Sequence, residues 1–345
     1  MSPSRSRMMA ARLYGVGDLR VEEVDRPAVA ADDEVAIRIH ACGICPSDLR
    51  AYTGLRPPNR PAPYTPGHEW AGEVIDAGDG VEGFALGDRV VPSWRVVCGK
   101  CYYCIRGQHN FCENLQRGRV RGGFAEVGIA AAGSLLKIPD GLSYQGACFC
   151  EPVACCINGH LDSDVAFGDN VVVIGAGPIG LLHLQLAVHA GARVWVSELL
   201  PERLAVAAAL GADALIDASE VDPVRWVRER TGGRGADVVI VAVGAPRALE
   251  QALEMAGNCS TVNYFAGTYP PTTLQIDPNL LHYKQIRLTG SHDYTPAHFH
   301  TALCFLEIGT VRVGPLISHE LPLAQVKDGF DVVAARQGLK VVITT

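Results

Sequence analysis

The stretch Cys42-Gly43-Ile44-Cys45-Pro46-Ser47-Asp48 carries two thiols, a hydroxyl and a carboxylate within seven residues. Downstream, Gly67-His68-Glu69 adds an imidazole and a second carboxylate. Thiolate, imidazole and carboxylate are the donors a borderline-soft ion such as zinc takes, and an incomplete protein set leaves one position open for catalysis. The same thiols also suit a strand end where free cysteine packs as a small hydrophobe. This stretch alone does not separate the two readings.

Cys98-x2-Cys101-x2-Cys104-x7-Cys112 is more specific. Four thiolates in one compact loop complete a tetrahedral shell with no open position, which is a structural zinc site folding a lobe over 95–115. The rival, an iron–sulfur cluster, fits less well. The bacterial ferredoxin run ends Cys-x3-Cys-Pro, whereas here the last gap is seven residues and Glu113 follows.

A third pattern, Gly175-Ala176-Gly177-Pro178-Ile179-Gly180, follows the apolar run Val171-Ile174 and opens a helix. In such a loop the glycines supply a tight turn, close backbone approach to a pyrophosphate and close helix–strand packing. The helix N-terminus adds N–H donors and a positive dipole end. Glu198 closes the next strand, where a carboxylate accepts ribose hydroxyls and favours NAD. Arg203 nearby could instead contact a 2′-phosphate, so NADP is the less favoured alternative.

These groups need a scaffold. A chain of 345 residues exceeds what one core usually supports, so two domains are expected. An apolar fraction of 48% and a charged fraction of 19% fit a folded globular protein. A net charge of −7 argues against nucleic acid, and the short basic cluster Arg117, Arg119, Arg121 reads as a solvated loop. The most apolar window, Val171 to Val196, is broken by glycines and carries His183, Gln185, His189 and Arg193, which suits a strand and helix better than a membrane span. Met1 to Arg7 lacks the apolar core of a secretory signal and is expected to be a disordered extension. Twelve cysteines without such a signal point to a reducing, cytoplasmic setting.

From Met9 to about Gly133, short apolar runs (Val35-Ile39, Gly72-Ile75, Arg89-Pro92, Ala125-Ile129) separated by Gly, Pro and Asp turns predict a β-rich domain. Arg56 to Pro63 is too rich in proline for regular structure and is expected to be a loop leading into His68. From Phe167 the pattern becomes six strands alternating with helices, an α/β doubly wound parallel sheet of the Rossmann kind.

Taken together, Cys42 to Asp48, Gly67-His68-Glu69, the four-cysteine lobe, Gly87-Asp88-Arg89-Val90, Glu151-Pro152 and Gly175 to Gly180 resemble the zinc-dependent medium-chain alcohol and polyol dehydrogenases, of sorbitol- or threonine-dehydrogenase type, over nearly the whole chain. The resemblance implies a GroES-like catalytic domain from 1–155 and 294–345, with a dinucleotide-binding domain over 156–293 between its parts. It implies two zinc ions per chain and hydride transfer between the carbinol carbon of a secondary alcohol (a polyol, sugar or cyclitol) and NAD, the alternatives being a threonine-type or simple alcohol dehydrogenase or a non-catalytic dinucleotide-binding protein. The partner is then a small alcohol or ketone, with neither nucleic acid nor membrane, and the assembly a homotetramer or homodimer.

By position, the resemblance makes Cys45 and His68 ligands of the catalytic zinc, places Glu69 beside the ion, and puts the remaining ligand at Glu151. Cys148, Cys150, Cys155 and Cys156 crowd that segment, so a thiolate there stays open. Cys42 becomes a bystander, Asp48 the carboxylate that orients the histidine, and Ser47 the hydroxyl through which the proton leaves. The relay usually ends at a histidine where this chain has Arg50, which is a poor proton shuttle. Arg50 either binds an anionic or polyhydroxylated substrate or is a plain surface residue. Gly290-Ser291-His292 corresponds to the nicotinamide edge, and Lys340 reaches toward the pyrophosphate or Glu69. Other histidines, His160 and His183 among them, read as surface or packing residues.

Overall fold

The structure is a computed structural model that describes residues 7–56 and 61–345. The expected N-terminal extension and proline-rich loop fall largely on 1–6 and 57–60, outside the described residues. Arg7, assigned to the extension, opens the first strand.

The chain forms two units. The first runs to Pro152 and takes in Thr295–Glu307 and Ile317–Thr345; the second comprises Val153–Tyr294 and Ile308–Leu316.

The first unit begins with the antiparallel pair β1 (Arg7–Gly15) and β2 (Asp18–Asp25). There follow β3 (Glu34–Gly43), α1 (Pro46–Tyr52), β4 (Glu69–Ala77), β5 (Arg89–Pro92), α2 (Tyr102–Ile105), β6 (Val120–Arg121), β7 (Val127–Ala131), β8 (Leu135–Lys137) and α3 (Tyr144–Ala147). As predicted, it is β-rich. β3 is its spine: Val35, Ile37 and Ile39 are fully buried, and the strand pairs antiparallel with β4 and β7. Around it pack Trp70, Val74, Phe124 and Phe330. Such β-branched and aromatic runs favour a pleated, buried surface.

α4 (Cys150–Ser163) leads into the second unit. Most of its residues are buried around the whole circumference, so it carries no amphipathic stripe for periodicity to detect. β9 (Asn170–Ile174), α5 (Pro178–His189), β10 (Arg193–Glu198), α6 (Pro201–Ala209), β11 (Ala214–Asp217), α7 (Pro223–Arg230), β12 (Ala236–Val241), α8 (Pro246–Met255), β13 (Ala256–Tyr264), α9 (Pro278–Lys284) and β14 (Arg287–Gly290) alternate as expected. The six strands are all parallel, in the order β11-β10-β9-β12-β13-β14. This is the doubly wound order whose switch point lies beside β9. Each of α5 to α9 starts with proline at its first turn, where the missing N–H costs no hydrogen bond. β13 starts at Ala256, directly after α8 and five residues earlier than its β-rich core at Thr261 suggested.

The chain then adds α10 (Pro296–Glu307), β15 (Ile317–Pro322), α11 (Val326–Ala334) and β16 (Lys340–Thr344). Ile308–Leu316 goes with the second unit and not the first. Gln185 on α5 explains this: its side chain donates to Arg312 O at 3.2 Å and accepts from Arg312 N at 2.8 Å. β16 pairs antiparallel with β3, matching Val342 to Gly43 and Ile343 to Cys42. Gly43 also faces Glu69 across the β3–β4 pair. The end of β3, the start of β4 and the middle of β16 therefore meet at Gly43.

Candidate active site

At that meeting point the chain turns from β3 into α1. Cys45 is the N-cap of α1, and Pro46 fixes the first turn. The Ser47 N–H points at Cys45 Sγ at 3.5 Å, while Asp48 Oδ2 accepts from the Cys45 N–H at 3.2 Å. Asp48 Oδ1 accepts from the Gly67 N–H at 3.3 Å and lies 3.5 Å from His68 Nδ1. One carboxylate thus ties the cysteine turn to the histidine and leaves Nε2 as the ring's donor atom.

Cys45, His68 and Glu69 offer ligand atoms that all lie within 4.8 Å of one another. Sulfur, imidazole and carboxylate in that compass fit zinc, and three donors leave room for a fourth ligand. Glu69 is 2% exposed, and its carboxylate pairs with Lys340 Nζ, which is 4% exposed. Burial works against the charge of Lys340, but the Glu69 carboxylate more than restores it, so its pKa is raised. Burial likewise opposes the charged forms of Asp48 and His68. Their mutual attraction prevails, holding Asp48 below the usual carboxylate range and His68 well above the usual imidazole value.

Cys42 is fully buried with its thiol pushed up by burial, and its Sγ lies 3.7 Å from Gly43 O. Cys148 and Cys150 are also buried, and burial raises both thiols. The Cys150 Sγ faces Phe299 O at 3.3 Å. Glu151, in the first turn of α4, is not one of the three clustered donors. Its Oε1 accepts from Trp94 Nε1 at 3.2 Å. Trp94 belongs to no motif, and nothing in the sequence pointed to it. Ser47 is half-buried beside Cys45, and Arg50 lies half-buried in the last turn of α1.

The second cysteine centre is separate. Cys98, Cys101, Cys104 and Cys112 bring four Sγ atoms within 4.8 Å of one another. The twelve cysteines are all free thiols, so this cluster is not a pair of disulfides. Hydrogen bonding, first from the Lys100 N–H, lowers Cys98 to about 6. Four sulfurs with backbone donors around them fit a closed thiolate shell.

In the second unit, Gly175 has φ +99°, a backbone region that L side chains rarely enter. A Cβ at Gly180 would collide with the Gly175 carbonyl. The loop between β9 and α5 therefore depends on both glycines, with Gly177 as N-cap and Pro178 and Ile179 opening α5. Glu198 Oε2 accepts from the Ala176 N–H at 2.8 Å and Oε1 from Leu199 N at 2.7 Å. The Arg203 guanidinium lies 4.0 Å from where a Gly177 side chain would begin. Gly290 ends β14, and Ser291 follows, its Oγ accepting from Asn263 Nδ2 at 2.9 Å. Asn263 was not anticipated: a lone asparagine inside a strand run carries no motif.

Among the described residues no helix is long and apolar enough to cross a membrane. The alcohol dehydrogenase GroES-like domain family matches residues 31–140, and the zinc-binding dehydrogenase family matches 178–307. The chain is 34% identical to a sorbitol dehydrogenase of Halalkalibacterium halodurans, over 96% of this chain and 97% of that one. It is 36% identical to the L-threonine 3-dehydrogenase of Pyrococcus furiosus, over 93% of each. A solved zinc-binding dehydrogenase from Sinorhizobium meliloti 1021 bound to NADP superposes with a TM-score of 0.92 at 31% identity, over 99% of this chain and 100% of that one. With both family domains present in order and relatives aligned nearly end to end, the chain belongs to the zinc-type medium-chain alcohol and polyol dehydrogenases.

Proposed function

We propose that this enzyme is a zinc-dependent dehydrogenase that oxidises a secondary alcohol of a polyol, sugar or cyclitol with NAD. In this reading it holds one catalytic and one structural zinc per chain and works as a homotetramer or homodimer. The observation that carries the proposal is the convergence of Cys45, His68 and Glu69 within 4.8 Å, backed by Asp48 and Lys340. Relatives named as sorbitol dehydrogenase and erythritol/L-threitol dehydrogenase support the polyol class.

Bound zinc would supply Lewis acidity to the alcohol oxygen, and the nicotinamide would take the hydride. The chain's own residues do the rest. The Ser47 N–H at the start of α1 holds the Cys45 sulfur in place, and Asp48 keeps the His68 ring turned with Nδ1 toward itself. Lys340 balances the buried Glu69 charge, so the site gathers anionic donors without an unpaired carboxylate. The Ser47 hydroxyl, on the same turn as Cys45, relays the proton that the alcohol gives up, passing its own proton on to solvent as it takes the new one. Glu151 is the further carboxylate available to the metal, released from the Trp94 indole. Arg50, at the end of that turn, is the residue assigned to polyhydroxylated or anionic substrate groups.

Gly175, Gly177, Pro178, Ile179 and Gly180 would cradle the pyrophosphate, with Gly290 and Ser291 toward the nicotinamide. NAD is preferred because Glu198 ends β10, where a 2′-phosphate would meet a carboxylate. Arg203 and the NADP-bound relative favour the phosphorylated cofactor, so affinities for NADH and NADPH are to be compared directly. A threonine-type activity is the second reading, favoured by the 36% identity to a threonine dehydrogenase. A screen of polyols, simple alcohols and L-threonine against NAD and NADP, followed at the reduced-nicotinamide absorbance, decides among these. Turnover of none of them by protein carrying two zinc ions per chain would overturn the proposal.

A further inference from the structure

Asn263 is fully buried in β13, one residue before the carboxyl end of the strand. Its Nδ2 lies 2.9 Å from three acceptors: Gly159 O and Ser163 Oγ on α4, and Ser291 Oγ just beyond β14. A carbonyl can only accept, so Gly159 fixes which end of the amide faces this way. Ser163 Oγ itself donates to Gly159 O at 2.6 Å, which leaves it an acceptor toward Asn263. Asn158 on the same helix donates to His292 O at 3.5 Å. The segment after Gly290 is thus tied to α4 through side chains and not through strand pairing, which ends at the Tyr264–Gly290 match.

In an open α/β sheet, ligands lie outside the carboxyl ends of the strands, and Ser291 is the first residue outside β14. An asparagine buried in a strand loses its hydration, and the cost falls only to the extent that its polar atoms are met; Oδ1 of Asn263 has no hydrogen-bond partner among the described residues, so the donors on Nδ2 carry the compensation. Here they are met by the two elements that flank the exit of β14. We propose that Asn263 is a positioning residue for the nicotinamide half of the cofactor, acting by clamping Ser291 against α4. This rests on the reading that Ser291 faces the nicotinamide. Asn263 itself touches no substrate or cofactor. It sets where the backbone of 290–292 stands, and with it the height at which the nicotinamide is received.

The test is a double-mutant cycle on the zinc-loaded full chain, read as the NADH dissociation constant by fluorescence and as the KM for NAD. Asn263→Leu keeps the volume and removes the donors; Ser291→Ala removes one acceptor. Each single change is expected to weaken NADH binding about three- to tenfold, the span of one neutral hydrogen bond, with zinc content unchanged. The double variant is expected to lose no more than either single one. Multiplying losses in the double variant, or NADH binding by Ser291→Ala equal to wild type, would overturn the clamp. If Asn263→Leu does not fold, Ser291→Ala alone decides by the same criterion. Failure of the wild type to bind NADH would overturn the cofactor reading together with the clamp, whereas tight wild-type binding with unmoved variants overturns the clamp alone.

Discussion

The two cysteine centres of this protein are built on opposite plans. The lobe draws all four thiols from 98–112, a single loop whose own backbone donors, from Lys100 among others, stabilise the sulfurs. The other centre takes Cys45 from the N-cap of α1 just after β3, His68 from just before β4, Glu69 from its first residue, and its balancing cation, Lys340, from the first residue of β16. One is local and closed; the other depends on the register of three strands and stays incomplete. A closed thiolate shell can stiffen a fold but has no place for a substrate oxygen, whereas the incomplete set has one. The first should therefore be removable without loss of chemistry and the second should not.

The largest expected effect is at the open centre. Cys45→Ser is expected to lower kcat/KM about a thousandfold or more, about 4 kcal/mol of transition-state stabilisation. Zinc content should fall from two ions per chain to one, with NADH affinity kept. Steady-state kinetics together with metal analysis check this, and full activity in the variant would end the zinc mechanism. Next is the buried pair. Lys340→Met leaves the Glu69 carboxylate buried without its partner, and removing one member of such a pair costs about 3–5 kcal/mol. Urea unfolding of Lys340→Met against the double variant Lys340→Met/Glu69→Gln measures it. The double variant should recover most of the loss. A cost under about 1 kcal/mol would mean that the pair behaves as a surface bridge.

The lobe should respond the other way. Cys101→Ser is expected to release the second zinc and lower the thermal midpoint by several degrees. A loss of about 1 kcal/mol shifts the midpoint of a domain this size by about 2–4 °C. Turnover per folded, zinc-loaded active site should stay near wild type. Loss of turnover out of proportion to loss of folded protein would erase the contrast between the centres.

How much of this was legible in the sequence follows the same contrast. The lobe was readable because its ligands share one loop, and spacing alone carries local geometry. The alternating sheet was readable because strands such as Val171-Ile174 and their helices each bear their own period. At the open centre the ligand types could be read, and the resemblance offered Glu69 as one of two partners for Lys340 and Asp48 as the partner of the histidine, but spacing alone did not choose between the two for Lys340. That Lys340 meets Glu69 follows from β16 pairing with β3 in one register, and a shift of one residue would turn its side chain to the other face. Trp94 meeting Glu151, and Asn263 meeting Ser291, are long-range contacts of residues that form no motif. α4 escaped notice because burial on nearly all sides erases the amphipathic signal.

The smallest effect distinguishes the two units by their response to acid. His183 on α5, read from the sequence as an ordinary packing histidine, is fully buried, with its ring edge-on to Phe265 at 4.5 Å between centroids. Burial, with a smaller contribution from the neighbouring His160, lowers its pKa to about 3. In the unfolded chain the same imidazole titrates near 6.5. Between those values the unfolded state binds a proton that the folded state refuses, so folding stability falls as pH falls through 6.5 toward 3. Going from pH 7.5 to 5.5, this one residue should remove about 1.4 kcal/mol from the stability of the second unit. His183→Leu, which has nothing to protonate, should lose about that much less over the same interval in urea titrations at the two pH values. Parallel losses in wild type and variant would mean that the ring finds a proton partner in the folded state. The acid sensitivity of this unit would then have to lie elsewhere, with His160, whose pKa burial also lowers, the first place to look.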